Sequence, residues 1–159
     1  ADVRRYLIGD TAAKLIVLSR GNPLAVFASN RIACAARAAG GPVASVPFDE
    51  ERFRRFLANY ERNFARIHDE IAGAGRDHLA TTYERLRGAE GAAEDARILD
   101  FLGAAPHPLA SATRKRNSDD ILGRFDGPAG VRAFLERIGR PDWATDRAGE
   151  DGAGPVPRP

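Results

Sequence analysis

An arginine, an asparagine and a proline stand close together where an aliphatic run ends, and together they could bind an anion. Residues 14–19 read Lys-Leu-Ile-Val-Leu-Ser, and Arg20, Gly21, Asn22 and Pro23 follow directly. Asn is a favoured helix N-cap and Pro is favoured at the first helical position, so a strand should turn into a helix here. The amides of a helix N-terminus attract phosphate, and a guanidinium can clamp two phosphate oxygens in parallel hydrogen bonds. The pattern therefore predicts a phosphate-binding β-α turn with Arg20 as its cation.

Ser29 is a second candidate for contact with the same anion. It lies seven residues after Asn22, and seven helical steps of about 100° bring a side chain back to the same face of the helix. A hydroxyl on that face can donate a hydrogen bond to a phosphate oxygen. The alternative interpretation is that Arg20 is a surface arginine and Ser29 an ordinary serine inside the helix.

The remaining residues with metal-binding or nucleophilic side chains form no recognisable site in the sequence. His68 lies in a helical stretch, His78 opens a strand, and His107 stands between two prolines. No pair of histidines has a convincing metal spacing, and no Ser-His-Asp order stands out. Cys34 is the single cysteine, and we expect it to be buried as a small hydrophobic residue. We therefore predict no metal site and assign no catalytic residue.

The elements that must position Arg20 and Ser29 follow from local patterns. The strand over residues 14–19 is continuously aliphatic, so we expect it to be covered on both faces. An alanine-rich helix follows up to residue 39 and ends at Gly40. Next comes a long helix whose apolar residues recur every three or four positions. These residues are Phe53, Phe56, Leu57, Tyr60, Phe64, Ile67 and Ile71.

A second strand and two further helices complete the pattern. Residues 78–83 have the Thr-Thr-Tyr content of a strand, residues 89–102 form a helix, and a last helix spans residues 128–138. Because strands alternate with helices, we expect one α/β domain over residues 1–143, with a partial parallel sheet flanked by helices. Residues 144–159 are rich in Gly, Pro and charge and are expected to form a disordered tail.

Three stretches of the chain resemble, in the same order, segments of the sulfotransferases that use 3′-phosphoadenosine 5′-phosphosulfate. KLIVLSRGNPLAVFASNRIA, at residues 14–33, resembles the strand, turn and helix that bind the 3′-phosphate. TTYERLRGAEGAAEDARILDFLG, at residues 81–103, is similar to the strand that ends in Tyr-Glu-Asp-Leu and the helix that ends in Phe-Leu-Gly. SATRKRNSDD, at residues 111–120, resembles the late basic loop that returns to the nucleotide.

This resemblance implies a P-loop NTPase-like fold and a set of nucleotide-binding residues. Arg20 and Ser29 resemble the arginine and serine that bind the 3′-phosphate, although many family members place the arginine one position later. Tyr83 resembles the tyrosine that packs against the adenine, and its alternative is a half-buried strand aromatic. Arg114 and Lys115 resemble the basic pair that reaches the 3′-phosphate from the far side, and their alternative is a solvated basic loop. The implied co-substrate is 3′-phosphoadenosine 5′-phosphosulfate, without a metal.

The loop that cradles the 5′-phosphosulfate in this family has no counterpart before residue 14, and the family's catalytic base usually lies upstream as well. We therefore expect the carboxyl-terminal portion of a sulfotransferase. The complete enzyme would transfer a sulfuryl group to a hydroxyl or amine of a carbohydrate, lipid or small metabolite. One alternative is a catalytically inactive nucleotide-binding or interaction module of the same fold. Another is a different P-loop relative, such as a kinase.

Composition narrows the classes of partner. The 24 basic and 22 acidic side chains give a net charge of +2, which is too small to indicate bulk nucleic-acid binding. No apolar run approaches the roughly 20 residues of a membrane-spanning helix, and no signal-like apolar region follows the first residues, so we expect a cytoplasmic location.

With only two evident strands, apolar sheet surface would stay open, so we expect the chain to self-associate or to be marginally stable.

Overall fold

The computed structural model describes residues 3–109 and 119–145. Its helices are α1 (Val3–Gly9), α2 (Pro23–Ala39), α3 (Glu50–Gly73), α4 (Tyr83–Arg87), α5 (Gly91–Leu102) and α6 (Pro128–Arg137). Its strands are β1 (Leu15–Ser19), β2 (Val46–Pro47), β3 (His78–Thr82) and β4 (Phe125–Asp126), and two 3-10 turns span Leu122–Arg124 and Pro141–Ala144. The chain is a mixed α/β protein, mostly helical with small parallel sheets, which confirms the α/β class predicted from the sequence.

The described residues form two compact units within the stretch expected to be one domain. The first, here called the strand unit, contains residues 3–21 and 61–109. The second, here called the aromatic unit, contains residues 22–60 and 119–145. Helix α3 begins in the aromatic unit and ends in the strand unit, and every other element belongs to one unit alone.

The strand unit is built on the parallel pair of β1 and β3. Leu15 lies opposite His78, and the register continues to Ser19 opposite Thr82. Successive side chains of a strand point to opposite faces, and the burial of β1 alternates accordingly. Ile16 and Leu18 are 39% and 51% exposed. The expectation that this strand is covered on both faces is therefore wrong, because an aliphatic run shows that a face can be buried but does not supply the layer that buries it.

Helix α2 has the boundaries that its sequence signals predict. The side chain of Asn22 accepts a hydrogen bond of 3.2 Å from the amide of Ala25, and Pro23 occupies the first helical position. At the other end, Gly40 adopts the left-handed conformation with φ of 68°, which glycine tolerates because it has no Cβ. The predicted β-α unit is thus present, with Ser29 in the second turn of the helix.

The apolar stripe of α3 also produces the predicted long helix. The helix begins after Asp49, whose carboxylate accepts a hydrogen bond of 2.9 Å from the amide of Arg52. Phe53 and Ile71 are buried, whereas the stripe between them is half-buried. Among residues 3–109 and 119–145, no helix combines the length and apolar character that crossing a membrane requires.

The core of the aromatic unit contains a cluster of aromatic rings, many of them in edge-to-face or tilted contacts. The ring of Phe53 is fully buried and lies 5.2 Å from that of Phe27, 5.8 Å from that of Phe134 and 6.1 Å from the indole of Trp143, between ring centroids. Such arrangements align the positive edge of one ring with the negative face of another. Helix α6 contributes Val131, Phe134 and Leu135, which are buried.

The carboxyl-terminal end of the described chain is held by a buried asparagine. The amide nitrogen of the Asn22 side chain donates hydrogen bonds of 3.1 Å to the carbonyl oxygens of Trp143 and Thr145. Ala144 is buried, and Thr145 forms an antiparallel bridge with Asp120. Residues 144 and 145 of the predicted tail therefore belong to the aromatic unit, and residues 146–159 lie outside the described residues.

Candidate functional site

The structure brings together two of the predicted site residues, Arg20 and Tyr83. Ser19 and Thr82 are opposite each other at the ends of β1 and β3, and the two site residues come directly after them. The guanidinium carbon of Arg20 lies 4.1 Å from the centre of the Tyr83 ring. Both residues therefore stand at the carboxyl ends of parallel strands, which is where open α/β sheets bind ligands.

A change from strand to helix places Tyr83 at this point. The predicted strand ends one residue early, at Thr82, whose hydroxyl accepts a hydrogen bond of 3.3 Å from the amide of Arg85 and so caps α4. Tyr83 thus becomes the first residue of α4. The guanidinium of Arg87, at the end of the same helix, lies 6.0 Å from the centre of the Tyr83 ring. The tyrosine is therefore bordered by two cations.

The position of Arg20 over Tyr83 is compatible with anion binding. A guanidinium donates hydrogen bonds within its own plane, so a ring below that plane does not compete for its N–H groups. Contact with the ring also fixes the orientation of the plane, which reduces the side-chain entropy lost when the N–H groups bind an anion. The pair can therefore present a fixed cationic edge at the end of the sheet.

The carboxylate of Glu84 already binds to the Arg20 guanidinium and to the backbone amide that follows it. Glu84 accepts a hydrogen bond of 2.8 Å from the backbone amide of Gly21 and lies 3.5 Å from Nε of Arg20. An anionic oxygen at the backbone amide of a β-α turn is the contact that a phosphate would make there. The turn is thus chemically suited to an anion, and Glu84 supplies one. Sequence reasoning missed this role, because the glutamate is 63 positions away from the amide that it binds.

Ser29 belongs to the aromatic unit, where it contacts a buried arginine. Its hydroxyl oxygen accepts a hydrogen bond of 3.3 Å from Nη1 of Arg124, which is only 6% exposed. A buried arginine is rare in proteins and is usually paired. Arg124 was missed from the sequence, and its only signal there is a cation between the apolar residues Leu122 and Phe125. Because its oxygen accepts this bond, Ser29 keeps its own O–H for donation.

The other two predicted site residues, Arg114 and Lys115, lie outside the described residues. Their assignment to the 3′-phosphate therefore remains a prediction.

Comparison with family models, with curated proteins and with solved structures gives no match for this chain. Its site must therefore be interpreted from its own residues.

The strand unit also contains a buried charge, Glu94, whose burial has a structural explanation. Glu94, which is 2% exposed, binds the guanidinium of Arg97 through both oxygens at 2.5 and 3.1 Å, and Arg85 lies 3.3 Å away. Arg97 also donates to the carbonyl oxygen of Ala80 on β3, at 2.8 Å. Burial raises the pKa of Glu94, but the hydrogen bond and charge of Arg97 and the charge of Arg85 outweigh it, so the pKa lies below its usual value. This network joins α5 to the sheet.

Cys34 is exposed on α2, so the expectation that it is buried is wrong. Small neighbours such as Ala33 and Ala35 indicate a helix but not which of its faces is covered, and Cys34 falls on the open face.

Proposed function

We propose that this chain is the nucleotide-binding, carboxyl-terminal portion of a sulfotransferase of P-loop NTPase-like fold. Its ligand is the adenosine 3′,5′-bisphosphate part of 3′-phosphoadenosine 5′-phosphosulfate. The observation that carries the proposal is the contact of Arg20 with Tyr83 at the paired carboxyl ends of β1 and β3. These are the residues that the resemblance assigns to the 3′-phosphate and the adenine, and they are 63 positions apart in the sequence.

In this proposal, Arg20 binds the 3′-phosphate and Tyr83 holds the guanidinium in the required orientation. The phosphate displaces the carboxylate of Glu84 from Arg20 and from the amide of Gly21. A phosphate dianion gains more from these donors than a carboxylate does, because it carries more charge and more acceptor oxygens. Ser29, Arg114 and Lys115 are assigned to the same phosphate by the resemblance.

The complete enzyme would transfer the sulfuryl group to a hydroxyl or amine of a carbohydrate, lipid or small metabolite, in the cytoplasm. In such transfer the leaving group is the nucleotide phosphate, so positioning and charge stabilisation of that nucleotide account for much of the catalysis. Arg20 contributes to the first of these by fixing the adenosine end of the donor. No described residue is assigned as the catalytic base.

A nucleotide-binding or interaction module without transfer activity is the second candidate. The observation that favours it is Glu84, because a turn whose amide and arginine are bound to an internal carboxylate is stable without a nucleotide. The two candidates agree on the binding site and differ in whether sulfuryl transfer takes place. Incubation of the complete protein, including any segment that precedes residue 1, with labelled sulfate donor and a panel of sugar, sterol and phenol acceptors separates them.

Titration calorimetry of the full chain tests the binding that both candidates share. We expect adenosine 3′,5′-bisphosphate to bind more tightly than adenosine 5′-monophosphate, and ATP to compete poorly. Arg20→Ala should weaken binding of the bisphosphate about ten- to a hundredfold, because a charge-assisted hydrogen bond contributes about 1.5–3 kcal/mol. The same substitution should leave the affinity for the monophosphate nearly unchanged. Arg66→Ala, which removes an exposed arginine of the strand unit, is the matched control.

Three outcomes of this experiment would decide against the proposal. Equal affinity for the bisphosphate and the monophosphate in the unmutated chain would exclude recognition of the 3′-phosphate. Equal losses for both nucleotides in Arg20→Ala would mean that the arginine supports the fold. Preferential binding of ATP would favour a kinase-like relative instead.

A further inference from the structure

Two histidines that lie ten positions apart in the sequence meet in the strand unit. His68 is on α3 and His78 begins β3, and Nδ1 of His68 lies 2.7 Å from Nε2 of His78. The ring centroids are 4.8 Å apart and the ring planes are inclined by 46°. Both residues are half-buried. One nitrogen of each ring is therefore directed at the other, in a position that solvent still reaches.

The distance between these nitrogens is close to that found between two imidazole ligands of one metal ion. With metal–nitrogen bonds of about 2.0 Å, ligands at a right angle place their nitrogens about 2.8 Å apart, and tetrahedral ligands about 3.3 Å apart. The observed 2.7 Å is the length of a hydrogen bond, so each ring must turn slightly for both lone pairs to reach a shared ion. The right-angle arrangement of Cu²⁺ or Ni²⁺ needs a smaller increase in this distance than the tetrahedral arrangement of Zn²⁺. Among divalent first-row metals, Cu²⁺ also has the highest affinity for such ligands.

The hydrogen bond between the rings can give way to a metal without loss of either ligand. In the structure one ring donates its N–H to the other, whereas a metal needs a lone pair on both nitrogens. The shared hydrogen can move to the other nitrogen of its own ring, which is a change of tautomer that leaves both imidazoles neutral. Asp77, which is exposed and directly precedes His78, adds a negative charge next to the pair.

We infer that His68 and His78 form a binding site for one Cu²⁺ ion, with water completing its coordination. Among the residues that the structure describes, no group of three or more His, Cys, Asp and Glu side chains could hold a metal. The site therefore has two protein ligands and open positions, which is the arrangement of an exchangeable ion rather than of a buried structural one. Bound copper would join α3 to β3 and so stabilise the strand unit by mass action.

The test is a calorimetric titration of the full chain with Cu²⁺, Zn²⁺ and Mg²⁺. All proteins carry Cys34→Ser, because an exposed thiol binds and reduces copper. His68→Asn and His78→Asn each remove one ligand, and His107→Asn removes the third histidine of the chain as the matched control. We expect one Cu²⁺ per chain, weaker Zn²⁺ binding and no Mg²⁺ binding. Each ligand variant should lower the affinity for Cu²⁺ at least about tenfold, and the control should lower it by less than about twofold.

A measurement without histidine variants keeps the test decisive if a variant fails to fold. Substoichiometric Cu²⁺ is paramagnetic and should broaden the ring proton signals of two of the three histidines in an NMR spectrum, leaving the His107 signal sharp. Equal broadening of all three signals, or broadening of His107 alone, would overturn the inference. So would a loss of affinity in His107→Asn as large as that in the two ligand variants, or tighter binding of Zn²⁺ than of Cu²⁺.

Discussion

The carboxylate of Glu84 accepts a hydrogen bond of 2.8 Å from the backbone amide of Gly21, at the residue that links β1 to the cap of α2. Its other oxygen lies 3.5 Å from Nε of Arg20. The two donors that this turn would offer to a phosphate are thus bound to a negative charge of the chain itself. Any anionic ligand of the turn must compete with Glu84, so its affinity depends on the charge of that side chain.

Glu84→Gln should therefore bind adenosine 3′,5′-bisphosphate more tightly than the unmutated chain. The amide keeps the size of the side chain but removes the charge that competes with and repels the phosphate. We expect a gain of about three- to tenfold, or about 0.6–1.4 kcal/mol, measured by titration calorimetry at low salt. The gain should shrink as salt is added, because added ions screen the repulsion.

The control for this variant is Glu90→Gln, which removes a well-exposed charge of the same unit. Unchanged or weaker binding by Glu84→Gln, with Glu90→Gln unchanged, would show that Glu84 supports the nucleotide site instead of competing for it.

Ser29 and Arg124 should contribute to stability as a pair. We expect a double-mutant cycle of Ser29→Ala and Arg124→Met to give a coupling energy of about 0.5–1.5 kcal/mol in the free energy of unfolding, because each single change removes the same hydrogen bond. Urea unfolding followed by Trp143 fluorescence measures it. Arg132→Met, at an exposed position of α6, should shift stability by less than about 0.5 kcal/mol. Strict additivity of the two changes would contradict the contact.

The buried Glu94 should make stability depend on acid pH. Its pKa is lowered in the folded chain, so the stabilisation is complete above its unfolded pKa of about 4.5 and is lost as the pH falls through the folded value. Urea unfolding at a series of pH values should show this loss. Glu94→Gln should be less stable than the unmutated chain at pH 7, but its free energy of unfolding should fall less on acidification. Glu61→Gln, at an exposed position of α3, should follow the unmutated chain. If the stability of Glu94→Gln falls as much as that of the unmutated chain on acidification, other groups cause the acid sensitivity.

The open face of β1 should drive self-association of the chain. Ile16 and Leu18 expose adjacent apolar surface on a strand, which favours contact with another apolar surface. Replacing both by Thr keeps the preference for strand and removes much of that surface, so sedimentation velocity should show a shift towards monomer. Leu109→Thr, an exposed apolar residue of a loop, serves as the control. A concentration-independent monomer before mutation would contradict the prediction.

The elements with strong local signals could be predicted from the sequence. The cap and proline before α2, the aliphatic run of β1 and the apolar stripe of α3 are each contained in about twenty consecutive residues, so their periodicity and capping suffice. Helix α1 has no buried residue and was missed, and the two-residue strands β2 and β4 are too short to leave a pattern. The P-loop NTPase-like arrangement stays a proposal.

Of the candidate site residues, Arg20 and Ser29 were predicted from the local pattern, and the resemblance added Tyr83. Arg20 and Tyr83 were both expected, and their contact follows from the parallel register of β1 with β3. Glu84 and Arg124 act through partners that are 63 and 95 positions away, and no local pattern carries that information. His68 and His78 are close in sequence, yet their contact depends on the turn that returns α3 to the sheet.

The buried side chain of Asn22 also constrains the order in which the aromatic unit can assemble. It caps the start of α2 while its amide holds carbonyl groups 121 and 123 positions further along the chain. During synthesis the ribosome therefore completes all of the intervening strand-unit residues before this core can close. Until then the aromatic rings of α2 and of the first part of α3 have no partners from α6, and they are exposed to chaperones or to premature association. High contact order of this kind also slows the refolding of the isolated chain, since a long loop must close before its contacts can form.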